Sequence, residues 1–282
     1  MKACASQSFC GYDRELADRP AGPSVSLDER CLPYPRICAH RGFHTTLPEN
    51  TMPAFGAAVA MGADEIEFDL WESADGVPVS IHDCTLDRVS NGTGSVREKT
   101  LVELKQLNFG IGCDASMDGL KIATFEEILR AFARHTIMNI HIYSVWGEHF
   151  SRSFMKTIAD LIHRYDCDNY VYLMGIPAVH EAALEVCPWL PRCMGADYDR
   201  EKMQIVDRAK AYQCSKVQFF KPFFDQNLIN YAHDNGIHCN CFSSDDGNEA
   251  QLLWHMGIDT ILTNNFFQIF RAREEFLRWH KK

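Results

Sequence analysis

Two acidic side chains with the spacing of a metal site lie in one short apolar segment. Glu67 and Asp69 stand two positions apart in IEFDLW. Side chains two apart on a β-strand point to the same face, so both carboxylates are expected on one side of the strand. Neighbouring buried carboxylates repel each other, and a hard divalent cation is the simplest way to keep both ionised. The pair predicts a metal site, unless one carboxylate is solvated at the rim.

Two histidines add groups that can transfer protons. His40 precedes Arg41, and His82 precedes Asp83. Imidazole titrates near neutral pH and can both give and take a proton, so this pair suits general acid-base catalysis. A single histidine is more often a hydrogen-bonded structural residue, but two of them beside a carboxylate pair favour catalysis. Arg41 offers a planar charged group suited to a phosphate, or it forms an ion pair with Glu49.

Short β-rich segments alternate with helical patterns in the part of the chain that must position these residues. The predicted strands are Arg36–His40, Glu65–Leu70, Ile137–Tyr143, Tyr170–Met174, Arg192–Gly195, Lys216–Phe220, His238–Phe242 and Thr260–Thr263. The predicted helices are Thr51–Met61, Thr124–Arg134, His149–Tyr165, Pro177–Val186, Asp199–Tyr212, Asp225–Asn235, Asp246–His255 and Phe266–Trp279. This alternation predicts a (β/α)8 barrel, whose strands end together at one mouth. An open doubly wound sheet is the alternative, but no GxGxxG or P-loop motif supports it.

Two segments fall outside the repeated units. The strand-like run Val77–Asp83 and the Gly-rich stretch after it, to about Leu120, predict a small insertion between the second strand and its helix. Residues 1–36 are polar, contain four prolines and show no sustained period. We interpret them as an N-terminal extension and residues 37–282 as the barrel domain, a length typical of one such unit.

Composition excludes some partners and indicates a location. The formal net charge of -10 argues against nucleic acids and anionic membrane surfaces as partners, whereas a small molecule in a pocket remains compatible. The chain has no run of ~18 apolar residues and no apolar secretory core at its start, which predicts a cytoplasmic protein without stable membrane insertion. The 12 cysteines are scattered, so we interpret them as reduced thiols, with Cys239 and Cys241 as packing residues.

The motifs that contain these residues resemble the glycerophosphodiester phosphodiesterase family in order and spacing. HRG, PENT, EFD, DGVPVSIHD and LDR carry the resemblance between His40 and Arg88, and LKIATFEEIL, MNIHI and GIDTILTN extend it more weakly. The resemblance implies a (β/α)8 fold, a bound divalent metal, and hydrolysis of a small phosphodiester to glycerol phosphate and an alcohol. In this family one histidine helps the glycerol hydroxyl attack phosphorus, the other protonates the leaving alcohol, and water opens the cyclic phosphate.

The resemblance also assigns roles to particular residues. It implies that His40 and His82 are the acid-base pair and that Arg41 contacts the phosphate. Glu67 and Asp69 match the metal ligands of the family, and we add Glu49 of the PENT motif as a candidate ligand. Mg²⁺ or Ca²⁺ is the expected ion, because both prefer oxygen ligands.

The chain departs from the family pattern on the third strand of the barrel. Where relatives have a further carboxylate and a lysine, this sequence has His141 and Tyr143. His141 either ligates the metal, which would admit Mn²⁺ or Zn²⁺ beside Mg²⁺ and Ca²⁺, or leaves that place to water. Lys221, after the strand Lys216–Phe220, either supplies the missing positive charge to the substrate or is a surface residue.

The sequence is therefore compatible with three functions. The first is hydrolysis of a deacylated lipid such as glycerophosphocholine or glycerophosphoethanolamine. The second is a phosphodiesterase of the lysophospholipase D or sphingomyelinase D type, which shares the barrel and the paired histidines by family resemblance. The third is a phosphodiester-binding barrel without turnover, which the retention of His40 and His82 argues against.

Overall fold

A closed barrel of parallel strands dominates the computed structural model, which describes residues 28–144, 150–195 and 204–280. The barrel closes because β1 (Arg36–Ala39) pairs with both β2 (Glu65–Glu72) and β9 (Thr260–Thr263). The remaining strands are β3 (Pro78–Ser80), β4 (Ile137–Ile142), β5 (Val171–Gly175), β6 (Arg192–Gly195), β7 (Lys216–Phe220) and β8 (His238–Phe242). All of them except β3 belong to the barrel. The predicted (β/α)8 barrel is confirmed, and the alternative of an open sheet is wrong.

Helices pack around the outside of the barrel. In the described ranges they are α1 (Met52–Ala60), α2 (Leu101–Leu104), α3 (Phe125–Phe132), α4 (Arg152–Arg164), α5 (Pro177–Val186), α6 (Gln204–Ala211), α7 (Gln226–Asp234), α8 (Gly247–Met256) and α9 (Phe266–His280). Two of the predicted helices extend over residues 149 and 199–203, which lie outside the described residues. The others agree with the sequence to within two residues at either end. Among the helices described here, none is both long and apolar enough to cross a membrane.

The second strand shows how the sequence separates the core from the site. Ile66, Phe68 and Leu70 alternate with the acidic residues of β2 and join the hydrophobic layer between strands and helices. The ring of Phe68 packs 5.5 Å from that of Phe55 on α1 and 6.0 Å from that of Phe125 on α3. Because this face of β2 is buried against helices, the opposite face points its carboxylates into the barrel.

Buried ion pairs close the barrel at the amino ends of the strands. Glu29, in the segment before β1, forms ion pairs of 2.6 Å with both Arg36 and Lys216. Arg36 also pairs with Glu65 at 3.2 Å, and the Tyr172 hydroxyl donates to Glu65 at 2.6 Å. Buried charges are tolerated only when they are paired in this way. The residues just before β1 thus form the floor of the barrel.

The predicted insertion forms a separate small core beside the mouth. β3 runs antiparallel to the end of β2, with Trp71 opposite Val79. A second apolar cluster gathers around this hairpin: Trp71, Val77, Val79, Ile81, Leu86, Val96, Leu101, Leu104, Phe109 and Ile122. The indole N–H of Trp71 donates to the backbone carbonyl of His82 at 2.9 Å. This packing holds the segment after β3 over the mouth.

The cysteines of the described ranges are free thiols. Cys239 and Cys241 are fully buried in the hydrophobic layer around the barrel, in agreement with their interpretation as packing residues. Burial raises the pKa of the Cys241 thiol to about 12, so it stays protonated and apolar near neutral pH.

Candidate active site

A cavity of about 440 Å³ opens at the carboxyl ends of the barrel strands. Six of the eight side chains singled out in the sequence line it: His40, Arg41, Glu67, Asp69, His82 and His141. Tyr143 joins them on the polar side, and the opposite wall is largely apolar, with Met174, Ile176, Phe220, Phe242 and Leu262. Glu49 and Lys221 are not among the residues that line this cavity.

Glu67, Asp69 and His141 form a cluster that could hold a metal ion. Their candidate ligand atoms all lie within 4.8 Å of one another, and His141 Nδ1 is 3.5 Å from Asp69 Oδ1. The register between β2 and β4 places His141 directly beside Asp69. The cluster thus unites the carboxylate pair with His141, the residue at which the sequence was expected to depart from the family pattern.

The electrostatics of this cluster fit a divalent cation. Burial and the neighbouring charge of Asp69 raise the pKa of Glu67 well above its usual range. Burial also opposes ionisation of Asp69, but a hydrogen bond with His141 and the charges of His141 and Arg41 outweigh it and lower the pKa of Asp69. Two buried carboxylates and an imidazole are donors for Mg²⁺, Ca²⁺, Mn²⁺ or Zn²⁺. A divalent ion among them would relieve the repulsion that favours a proton on Glu67.

Asn50 of the PENT motif orients the carboxylate of Asp69. Its side-chain N–H donates to Asp69 Oδ2 at 2.8 Å, and its side-chain oxygen accepts from the Asp69 backbone N–H at 3.1 Å and from the Ser80 hydroxyl at 3.1 Å. Asn50 has a positive φ of 57°, which asparagine tolerates better than most residues. The sequence did not predict this role for Asn50, although the residue belongs to the PENT motif that carries the family resemblance.

The glycine of the HRG motif is required by close packing. Gly42 has a φ of 79°, and a Cβ on it would lie 2.7 Å from the backbone carbonyl carbon of Ala54 on α1. This approach lets the loop turn so that the Arg41 backbone N–H donates to Glu67 Oε2 at 3.0 Å. The motif therefore places both a side chain and a backbone donor at the cluster.

A chain of ion pairs connects the arginine of the site to the second histidine. Arg41 Nη1 donates to Glu49 Oε1 at 2.9 Å, and Arg88 donates to both oxygens of Glu49 at 2.7 and 2.9 Å. Arg88 Nε also donates to Asp83 Oδ2 at 2.6 Å, while His82 Nδ1 lies 2.7 Å from Asp83 Oδ1. Glu49 is therefore held between two arginines, and the predicted Arg41–Glu49 ion pair is present.

His40 is buried and held in one orientation. Its Nδ1 lies 2.7 Å from Asn264 Oδ1, its ring packs 4.5 Å from that of Phe242, and its Nε2 lies 3.9 Å from Glu67 Oε2. Burial and the nearby Arg41 charge lower the pKa of His40 to about 4. The ring is therefore neutral near pH 7, as a proton acceptor must be.

Tyr143 lines the cavity, whereas Lys221 does not. The ring of Tyr143 stacks 5.3 Å from that of Trp71 and lies 4.1 Å from that of His141 in a tilted contact. Burial and the charges of Asp69 and Glu67 raise its pKa, so its hydroxyl remains neutral. Lys221 is partly exposed and pairs with Glu249 at 2.6 Å. Within the described ranges, the positive charge among the residues lining the cavity comes from Arg41.

A second group of potential ligands lies at the opposite end of the barrel. The candidate ligand atoms of His233, Cys239 and Asp259 also approach within 4.8 Å of one another. Asp259 Oδ2 already accepts from the Cys239 backbone N–H at 2.7 Å and lies 2.9 Å from His233 Nε2. These contacts tie α7 to the amino ends of β8 and β9.

The barrel and the polar residues of its mouth have the components of a phosphoric diester hydrolase, and comparison with known proteins identifies the family. The model of the glycerophosphoryl diester phosphodiesterase family matches residues 40–266. A glycerophosphodiester phosphodiesterase of Caldanaerobacter subterraneus is 41% identical over 237 residues, which cover 81% of this chain and 93% of the relative. The chain belongs to the glycerophosphoryl diester phosphodiesterase family, and the enzyme class expected from the sequence is confirmed.

Solved structures agree with the fold. A phosphodiesterase of Oleispira antarctica, in complex with the product sn-glycerol-3-phosphate, superposes with a TM-score of 0.79 at 22% identity, covering 86% of this chain and 97% of the other. A glycerophosphodiester phosphodiesterase of Agrobacterium tumefaciens superposes with a TM-score of 0.70 at 23% identity, covering 83% and 99% of the two chains. The barrel is thus the fold of these proteins as well.

Proposed function

We propose that this enzyme hydrolyses a glycerophosphodiester to glycerol 3-phosphate and an alcohol, in a reaction that depends on a divalent metal. One observation carries the proposal: His40 and His82, which lie on separately packed parts of the molecule, line the same cavity as Arg41 and the Glu67–Asp69–His141 cluster. Two groups that transfer protons, one cation for a phosphate and one candidate metal site thereby face a single small volume.

The substrate phosphate is expected in the cavity, beside both Arg41 and the acidic cluster, which contact each other through Arg41 Nε and Asp69 Oδ2 at 3.4 Å. A cavity of about 440 Å³ is within the usual range for small-molecule sites and matches a deacylated lipid such as glycerophosphocholine or glycerophosphoethanolamine. Glu67, Asp69 and His141 would hold Mg²⁺ or Ca²⁺, and the imidazole also admits Mn²⁺ or Zn²⁺. When bound, the cation supplies positive charge that offsets the charge developing on the phosphate oxygens.

We assign the role of general base to His40 and that of general acid to His82. Neutral His40 takes the proton of a glycerol hydroxyl as its oxygen bonds to phosphorus, and His82 gives a proton to the alcohol oxygen as the other phosphorus–oxygen bond breaks. The Asp83 carboxylate beside His82 Nδ1 stabilises the positive ring that must exist before this transfer. Water then opens the cyclic phosphate with the two roles exchanged.

A kinetic comparison tests the function. Purified enzyme is assayed for glycerol 3-phosphate release from glycerophosphocholine and glycerophosphoethanolamine, with Mg²⁺ and with excess EDTA. His40→Ala and His82→Ala are each expected to lower kcat by about 10²- to 10⁴-fold, as loss of a positioned acid or base does. His163→Ala is the matched control, because that histidine lies on α4 with its side chain 81% exposed. Hydrolysis that is unaffected by EDTA and by both site variants would refute the proposal.

The organisation of the chain and its location remain proposals of the same kind. We propose that residues 37–282 fold as one domain and that residues 1–36 are an extension of it. The structure begins β1 at Arg36, so this residue already belongs to the barrel, and Glu29 of the preceding segment pairs with Arg36 and with Lys216 of β7 at the floor. We also propose that the enzyme is cytoplasmic, which cell fractionation with antibody detection would test.

A further inference from the structure

Asn264 and Asp245 form a hydrogen-bonded pair directly behind the proposed general base. Asn264 follows the last residue of β9, and Asp245 lies in the loop between β8 and α8. The side-chain oxygen of Asn264 lies 2.7 Å from His40 Nδ1 and 2.9 Å from His44 Nε2. Neither Asn264 nor Asp245 was singled out in the sequence as a residue of the site.

Asp245 determines which way the amide of Asn264 faces. Its Oδ2 accepts from Asn264 Nδ2 at 2.9 Å, and its Oδ1 accepts from the Asn264 backbone N–H at 2.7 Å and the Thr263 hydroxyl at 2.9 Å. Burial opposes its ionisation, but these hydrogen bonds outweigh burial and lower its pKa, so Asp245 is a carboxylate that only accepts. A reversed amide would place oxygen against oxygen at this distance. The side-chain oxygen of Asn264 must therefore face the two histidines.

The orientation of that oxygen leaves one arrangement for His40. An amide oxygen only accepts hydrogen bonds, so His40 Nδ1 must carry the hydrogen, as must His44 Nε2. The lone pair of a neutral His40 ring is then on Nε2. This atom lies toward the cavity, 3.9 Å from Glu67 Oε2, which is beyond hydrogen-bond distance.

We propose that Asn264, itself oriented by Asp245, is a positioning residue that keeps His40 in the Nδ1–H tautomer, so that Nε2 can accept the proton of the substrate hydroxyl. His44 is the second donor to the same oxygen and fixes the Asn264 side chain from the other side. The kinetic part of this inference rests on the proposed function, whereas the tautomer can be tested without turnover.

Nuclear magnetic resonance of protein labelled with ¹⁵N-histidine measures the tautomer directly at pH 7.5. Two-bond ¹⁵N–¹H correlations distinguish a protonated Nδ1 from a protonated Nε2, and the missing signals of His40→Ala assign the ring. The wild-type enzyme is expected to show Nδ1–H at His40. Asn264→Leu removes the acceptor, and Asp245→Asn lets the amide turn. Both variants are expected to show Nε2–H.

Kinetics and a matched control complete the test. Both variants are expected to lower kcat by about 10²- to 10⁴-fold, the range for a base that is lost or held in the wrong tautomer, with KM changed less than about threefold. Asn265→Leu, the same substitution one position away, removes only a side-chain contact with Gln268 and should change neither the tautomer nor kcat.

Two results would overturn the inference. One is an Nε2–H signal for His40 in the wild type, a result that does not depend on how either variant folds. The other is a loss in kcat smaller than tenfold in both variants. If the wild type cleaves no glycerophosphodiester, the proposed function fails, while the tautomer assignment still stands or falls on the spectra alone.

Discussion

Replacing His141 with glutamate should make the stability of the enzyme depend on metal. His141→Glu places a third carboxylate beside Glu67 and Asp69, where the imidazole now stands 3.5 Å from Asp69. Two full charges at that distance repel by about 5 kcal/mol at an effective dielectric constant of about 20. This is an upper limit, because proton uptake by one carboxylate relieves part of the repulsion.

Thermal unfolding in EDTA and in saturating Mg²⁺ measures the effect. One kcal/mol shifts the Tm of a chain of this size by about 2–4 °C, so the Tm of the metal-free variant should fall by up to about 10–20 °C. Mg²⁺ should restore most of the lost Tm, because a bound divalent cation attracts each of the three carboxylates and offsets the repulsion among them. The Mg²⁺-dependent gain in Tm should therefore be larger for His141→Glu than for the wild type.

A leucine at position 141 separates the effect of an added charge from the effect of a lost ligand. His141→Leu is the variant used, because leucine adds no charge and offers no ligand atom, whereas the amide oxygen of a glutamine could still bind Mg²⁺. Its metal-free Tm should stay closer to that of the wild type than the Tm of His141→Glu does, while its gain with Mg²⁺ shrinks. A His141→Glu enzyme whose metal-free Tm equals that of the wild type, or whose gain with Mg²⁺ is no larger, would contradict the assignment of these three residues to one metal site.

Four further substitutions test other parts of the structure. Gly42→Ala should lower the free energy of unfolding by about 1–3 kcal/mol through its positive φ alone, and by more through contact with the backbone of Ala54, as urea denaturation would measure. Glu29→Gln leaves two buried cations without their shared partner and should lower stability by about 3–5 kcal/mol in the same assay; no loss would show that the floor ion pairs are dispensable. Lys221→Ala should leave kcat/KM within about twofold, because its partner lies outside the cavity lining, and a large loss would restore it as a substrate ligand. Burial opposes the ionisation of Asp259, but hydrogen bonds outweigh it and keep its pKa below the usual value of about 3.9. The contribution of the Asp259 carboxylate to folding stability is therefore fully present above that pH and is lost as the pH falls through the lower, folded-state pKa. Asp259→Asn should cost more stability at pH 7 than at pH 3.

The repeated units could be predicted from sequence because their signals are local. Buried parallel strands are short continuous apolar runs, and the helices between them begin at residues such as Thr124, whose side chain accepts from the Glu127 backbone N–H. The four strands β6 to β9 coincide with their predicted bounds. Chemistry at strand ends was predictable for the same reason, since all parallel strands of a barrel end at one mouth.

The contacts that orient the site were not predictable, because they join distant segments. Asn264 meets His40 across 224 positions of sequence, and a lone asparagine after a strand has many uses. Two signals could have pointed to it: its place at the carboxyl end of β9, and its position as the last residue of the GIDTILTN segment. Glu49 was predicted as a metal ligand from its residue type, and nothing in the sequence indicated that the side chain of Arg88, 39 positions away, donates to its carboxylate.

The two histidines are supported by different parts of the structure, because His82 follows the hairpin of the small second core, whereas His40 directly follows β1 of the barrel. A small apolar cluster can open locally at a lower free energy than the whole domain. Mild denaturant or heat would then separate the proton donor from the proton acceptor while the barrel stays intact. Catalysis would fail before the fold does, and evolutionary changes in the hairpin could tune turnover without endangering the scaffold.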